Sequence, residues 1–135
     1  MNLAFDKTEK KFAVIKQFLT EYYFNVENEF YEYINKKGKG HLLMKLKHAV
    51  EEKKVLVFER GDCDLKKFTE IRQLAATPLT TGEILYIAEY MINSMKELDE
   101  IDVYLCDNKP PNILVVMDSE SAEKYHLTIT DLGGA

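Results

Sequence analysis

The sequence predicts an α+β fold, and three observations carry that prediction. Thr80 and Glu83 have the spacing of a capping box, and apolar residues recur behind them at helical intervals as far as Leu98. Short runs rich in β-branched residues, such as Val55-Leu56-Val57-Phe58 and Ile113-Leu114-Val115-Val116, read as strands. The order along the chain is strands, helix, strands, helix, strands, so helices are segregated from strands rather than alternating with each one.

From the N-terminus, Leu3-Ala4-Phe5 and Phe12-Ala13-Val14-Ile15 flank a polar turn, Asp6 to Lys10, and predict a hairpin. Residues from about Val26 to Asn35 fit a short helix with Val26, Phe30, Tyr33 and Ile34 on one side, ended by Gly38 and Gly40. Leu42 to Leu46 is a candidate strand, with a helical turn as the alternative. Glu51 to Lys54 forms a turn before the clearer strand Val55–Phe58, which Arg60-Gly61-Asp62 breaks. In the helix that begins near Thr80, the stripe Ile84, Ile87, Ala88, Met91, Ile92, Met95 and Leu98 is expected to face the core. Two further strands, Asn112 to Met117 and Tyr125 to Thr130, are joined by the polar turn beginning at Asp118.

Composition bounds the function. A net charge of -5 on 135 residues argues against a nucleic-acid footprint, which needs a concentrated basic face. No run of about 18 apolar residues is present, so no membrane partner is expected. The N-terminal MNLAFDKTEKK lacks the apolar stretch of a signal peptide, and Cys63 and Cys106 lack metal-ligand spacing. A cytoplasmic or nuclear protein with two isolated thiols is expected. His41, His48 and His126 have no partners suggested by spacing and read as surface or packing residues.

The chemistry-bearing residues concentrate in YLCDNKPPNILVV and ITDLGGA. Asp107 is followed by Lys109 and Asn112, and an apolar strand ends at Asp131-Leu132-Gly133. Phosphoryl transfer needs oxygen ligands for magnesium, a carboxylate facing the incoming hydroxyl and a cation near the transferred group. Asp131 and Asn112 suit the metal, Asp107 the hydroxyl and Lys109 the developing charge. Gly133 would let the chain turn sharply after the metal ligand.

These motifs resemble the catalytic loop and metal-binding motif of eukaryotic-type protein kinases, in which a Lys and an Asn follow the catalytic Asp at the same intervals. Lys109 is similar to the serine/threonine branch. The resemblance implies ATP and magnesium as cofactors, a protein substrate, and transfer of the γ-phosphate to Ser or Thr hydroxyls. It extends upstream. FAVIKQF resembles the strand whose Lys, here Lys16, holds the α- and β-phosphates, and ENEFYEYI resembles the family's helix C. Glu29 is chosen as the glutamate that pairs with Lys16, ahead of Glu27 and Glu32. KVLVFERGDCDL resembles the fifth strand and hinge: Phe58 as gatekeeper, backbone groups of Glu59 and Gly61 at the adenine edge, Asp64 toward the ribose. Val14 and Leu114 would be roof and floor of the adenine site.

The implied organisation is a partial N-lobe over residues 1–60, an antiparallel sheet plus helix C, followed by the hinge and first part of a helical C-lobe over 61–135. The glycine-rich loop would fall before Leu3, and the activation segment and Ala-Pro-Glu motif after Ala135, so activity of the isolated chain is not expected. Each fixed residue matches by chance about one time in twenty on average usage, and their order strengthens the set. The chain departs from the pattern at Leu105 and Cys106, which stand in place of His and Arg, so control through an activation-loop phosphate is not expected. The gap to Asp131 is long, with the turn from Asp118 to Lys124 as a surface insertion. Two other readings share these residues: a non-catalytic kinase-like chain with weak or no nucleotide binding, and a small-molecule kinase, which Lys109-Pro110 disfavours.

Overall fold

A computed structural model describes residues 2–105, 108–121 and 123–130. The fold is α+β, and the chain divides into two compact units, Met1–Arg60 and Gly61–Ala135.

In the first unit, β1 (Asn2–Asp6) and β2 (Lys11–Gln17) form the expected hairpin. Their register is one-to-one, from Asn2 opposite Ile15 to Asp6 opposite Lys11. With β3 (Leu46–Val50) and β4 (Val55–Glu59) they make an antiparallel sheet in the order β1-β2-β4-β3. The run Leu42–Leu46 is not itself a strand. Gly40–Leu42 is a 3₁₀ turn, Leu43 makes an isolated bridge, Leu42, Leu43 and Met44 are buried, and the β3–β4 ladder begins at Leu46. Three successive buried apolar residues suit a core-crossing link, whereas a half-buried strand would alternate.

Helix α1 (Glu21–Lys36) begins five residues before the sequence suggests, because Thr20 caps it: its Oγ accepts from the Tyr23 N–H at 3.3 Å. Its buried face is Phe24, Glu27, Tyr31 and Ile34. That face is rotated from the expected Val26, Phe30, Tyr33 and Ile34, and Tyr33 lies exposed. The 3-4-3 spacing is a good helical stripe once Glu27 counts as an inward residue. Tyr31 packs its ring 5.3 Å from Phe58 of β4, fixing the helix to the sheet. Burial of Phe24, Tyr31 and Ile34 contributes roughly 1.5–3 kcal/mol for each side chain. Past the helix end, Gly38 takes a left-handed φ of 78° that a Cβ would oppose.

In the second unit, β5 (Cys63–Asp64), β6 (Ile113–Met117) and β7 (Tyr125–Ile129) form an antiparallel sheet in that order. One face carries Ile113, Val115, Tyr125 and Leu127, packed with Leu65 and Phe68 of α2 (Leu65–Leu74). The hydrophobic pattern of the sequence does not predict α2. Helix α3 (Thr81–Asp99) starts at the expected capping box, with Tyr86, Ile87, Tyr90 and Met91 against the same core. The expected stripe divides: Ile87, Met91 and Leu98 face inward, whereas Ile84, Ile92 and Met95 are exposed. Tyr86 and Tyr90 take the inward positions instead, because their rings reach the sheet over a wider arc.

Arg72, Glu83 and Tyr125 lock this unit together. Arg72 donates to both Glu83 oxygens at 2.7 and 2.8 Å and to the Thr77 and Pro78 carbonyls. The Tyr125 hydroxyl donates to Glu83 Oε2 at 2.8 Å. One carboxylate therefore ties α2, the α2–α3 loop, α3 and β7. The Arg72 guanidinium is the main cause that holds the Glu83 carboxyl down, from the usual 4.5 to about 2; Thr80 and Tyr125 add to it, and burial opposes them. Among the described residues, no helix is long and apolar enough to cross a membrane.

Candidate functional site

Lys16 lies near the end of β2, where strand alternation places it on the same face as Val14. Its ammonium is 2.9 Å from each oxygen of Glu27. It also sits 5.2 Å from the centre of the Phe18 ring, which meets Phe24 edge-on. Glu27 is 1% exposed and the Lys16 side chain 22%. A carboxylate this deep requires its cation, and the cation keeps one side toward solvent. The expected Lys16–Glu29 pair is therefore incorrect. Glu29 is exposed on α1, two residues and about 200° of helix rotation from Glu27. The expectation followed the apolar residues of the helix and so missed that a glutamate holds the inward position.

Phe58 is 1% exposed on β4, opposite Val14 of β2. The Glu59 N–H donates to the Lys45 carbonyl at 2.9 Å, so that donor is already committed, and the Glu59 carboxylate lies 3.5 Å from Lys45.

The second unit positions Gly61, Asp64, Leu114, Lys109 and Asn112. A Cβ on Gly61 would come within 3.1 Å of Leu114, so this backbone packs directly on that side chain. Leu114 pairs with Asp64 on one side and Thr128 on the other. Asp64 is the N-cap of α2: its Oδ1 accepts from the Lys67 N–H at 2.8 Å. One carboxylate oxygen thus has a structural task, which was also the missed signal for the helix.

Lys109 is exposed, and Pro110–Asn112 forms a 3₁₀ turn in which the Asn112 N–H donates to the Lys109 carbonyl at 2.8 Å. The Thr130 N–H donates to the Asn112 carbonyl at 2.9 Å. The ladder thereby brings Asn112 beside the residue that precedes Asp131. The side-chain amide oxygen of Asn112 is a hard donor of the kind magnesium takes. Asp107 and Asp131 themselves lie outside the described residues, as do Cys106, Leu132 and Gly133. Among the described residues, no three His, Cys, Asp or Glu side chains gather as a metal site. His126, expected to have no partner, places Nδ1 3.1 Å from Asp118 Oδ2 across the β6–β7 turn.

No known family model matches the chain, and no curated protein matches it.

Proposed function

We propose that this chain carries a phosphoryl-transfer site of the protein-kinase type, using ATP and magnesium to phosphorylate Ser or Thr hydroxyls of proteins. The observation that carries the reading is the Lys16–Glu27 pair. A strand lysine held at 2.9 Å by a buried helix carboxylate has a fixed position and a solvent-facing side. Those properties suit a cation that must receive the α- and β-phosphates. Glu27, rather than Glu29, takes the orienting role.

This reading assigns Val14 and the Glu59 backbone of the first unit to the adenine, and Leu114, the Gly61 backbone and the second oxygen of Asp64 in the second unit to the adenine and ribose. Asn112 and Asp131 would hold magnesium, which neutralises charge on the phosphates when bound. Asp107 orients the incoming hydroxyl and accepts its proton. Lys109 offsets charge on the transferred group. Catalysis would come from positioning and electrostatics.

The test is binding of ATP with magnesium to the chain, read by isothermal titration. The reading expects saturable binding that is weakened in Asp131→Asn. No detectable binding by the folded parent, or binding unchanged in Asp131→Asn, overturns it.

A further inference from the structure

The first unit holds a small charged cavity that Lys16 does not line. Its volume is about 140 Å³, and its walls are Glu9, Lys11, Phe12, Lys47, Glu59 and Arg60. All six residues belong to the first unit. They come from the β1–β2 turn, the start of β2, the middle of β3 and the end of β4.

Lys47 fixes one wall. The β3–β4 register shifts between Leu46 and His48, which leaves Lys47 as the extra residue of a bulge. A bulge re-aims the side chain it carries. The Lys47 side chain is 8% exposed, and its ammonium donates to Glu9 Oε2 at 2.7 Å. The β3 bulge thereby pins the β1–β2 turn at the cavity.

The charges around the cavity do not cancel. Lys47 matches Glu9, and Lys45, outside the cavity, lies 3.5 Å from Glu59. Lys11 and Arg60 remain. Both are exposed, and among the described residues neither has a carboxylate partner. The Arg60 guanidinium lies over the Phe12 ring, 5.7 Å from its centre, a contact that steadies its planar fork. Two uncompensated cations call for a dianion. A phosphate group on a side chain carries about -1.5 to -2 charges at pH 7 and three acceptor oxygens, and Arg binds such groups through paired hydrogen bonds. Size agrees with charge. Cavities for drug-sized ligands are about 300–1,000 Å³, so this one suits a single phosphate group rather than a whole nucleotide. Although the chain carries -5 overall, Lys and Arg outnumber Asp and Glu in the first unit.

We infer that this cavity is a phosphate-binding site, in which Lys11 and Arg60 hold the oxygens and the Lys47–Glu9 pair holds the wall. The ligand chemistry is a phosphate dianion, as the free ion or on a phosphorylated side chain. The site does not depend on the phosphoryl-transfer reading, because neither Lys16 nor Lys109 lines the cavity.

Isothermal titration of the whole chain at low ionic strength tests it. The probes are inorganic phosphate and a capped phosphoserine peptide, with acetate as the single-charge control. Saturable binding of a phosphate probe is expected, and the tighter of the two identifies the source. Lys11→Gln and Arg60→Gln, both at exposed positions, should each weaken binding at least about tenfold. Lys53→Gln, an exposed lysine outside the cavity, should leave it unchanged. No saturable binding of either probe at millimolar concentration overturns the inference. So does binding that survives Lys11→Gln and Arg60→Gln, that falls equally with Lys53→Gln, or that acetate matches in affinity.

Discussion

Glu27 is where residue identity and residue position give opposite advice. Glutamate is a surface residue by default, so sequence alone points to the apolar side chains of α1 as its inward face. The actual face runs Phe24, Glu27, Tyr31 and Ile34, and the carboxylate is accommodated because Lys16 stands 2.9 Å away. A buried ion pair is weak support for stability in itself, yet breaking one leaves an uncompensated charge. Lys16→Met should therefore destabilise the fold by about 3 kcal/mol in denaturant unfolding. Glu29→Gln, at an exposed position, should change stability by no more than about 0.5 kcal/mol. Equal effects of the two substitutions would contradict the assignment of Glu27. Asp64 teaches a related lesson. Its proposed ribose contact must share the carboxylate with the α2 cap, a task visible only once the helix is.

At the scale of elements, legibility followed the strength of the local signal. The β1–β2 hairpin and the capping box of α3 were readable because turn and cap residues act within a few positions. Helix α2 was not, since LKKFTEIRQL buries only Leu65 and Phe68 and resembles a charged loop. The α3 stripe was read too broadly because its apolar residues surround much of the helix, and sequence alone does not say which arc meets the sheet. Ile92 is 66% exposed, so Ile92→Lys should leave unfolding stability within about 0.5 kcal/mol of the parent.

The Arg72–Glu83–Tyr125 junction makes a pH prediction. The Glu83 carboxyl is depressed from 4.5 to about 2, so the folded state favours its ionised form. Its contribution is fully present above pH 4.5 and is lost as pH falls through about 2. Acid titration of the parent should show this loss within that window, and Glu83→Gln should remove this part of the acid dependence. A variant with the parent's full acid dependence would contradict the assignment.

At the scale of the whole molecule, the α+β class was legible from the order of strong elements. The strand and turn positions of the described candidate residues were legible, but not their geometry. Lys16, Leu114 and Asn112 occupy strand or turn positions that a motif can specify, whereas the partner of Lys16 depended on helix rotation. The backbone link from Thr130 to Asn112, which sets two strand ends side by side, depends on a register across the turn from Asp118 to Lys124. Sequence spacing fixes neither quantity, because both follow from packing of distant segments.

The central claim is that Lys16, held by Glu27, serves a nucleotide. The most direct measurement is a thermal-shift titration with ATP and magnesium on the parent, Glu27→Gln and Glu29→Gln, each referenced to its own unliganded melting temperature. The account predicts a saturable upward shift in the parent and in Glu29→Gln, at concentrations where Glu27→Gln shows little or none. No shift in the folded parent, or a shift weakened by Glu29→Gln and untouched by Glu27→Gln, would contradict it.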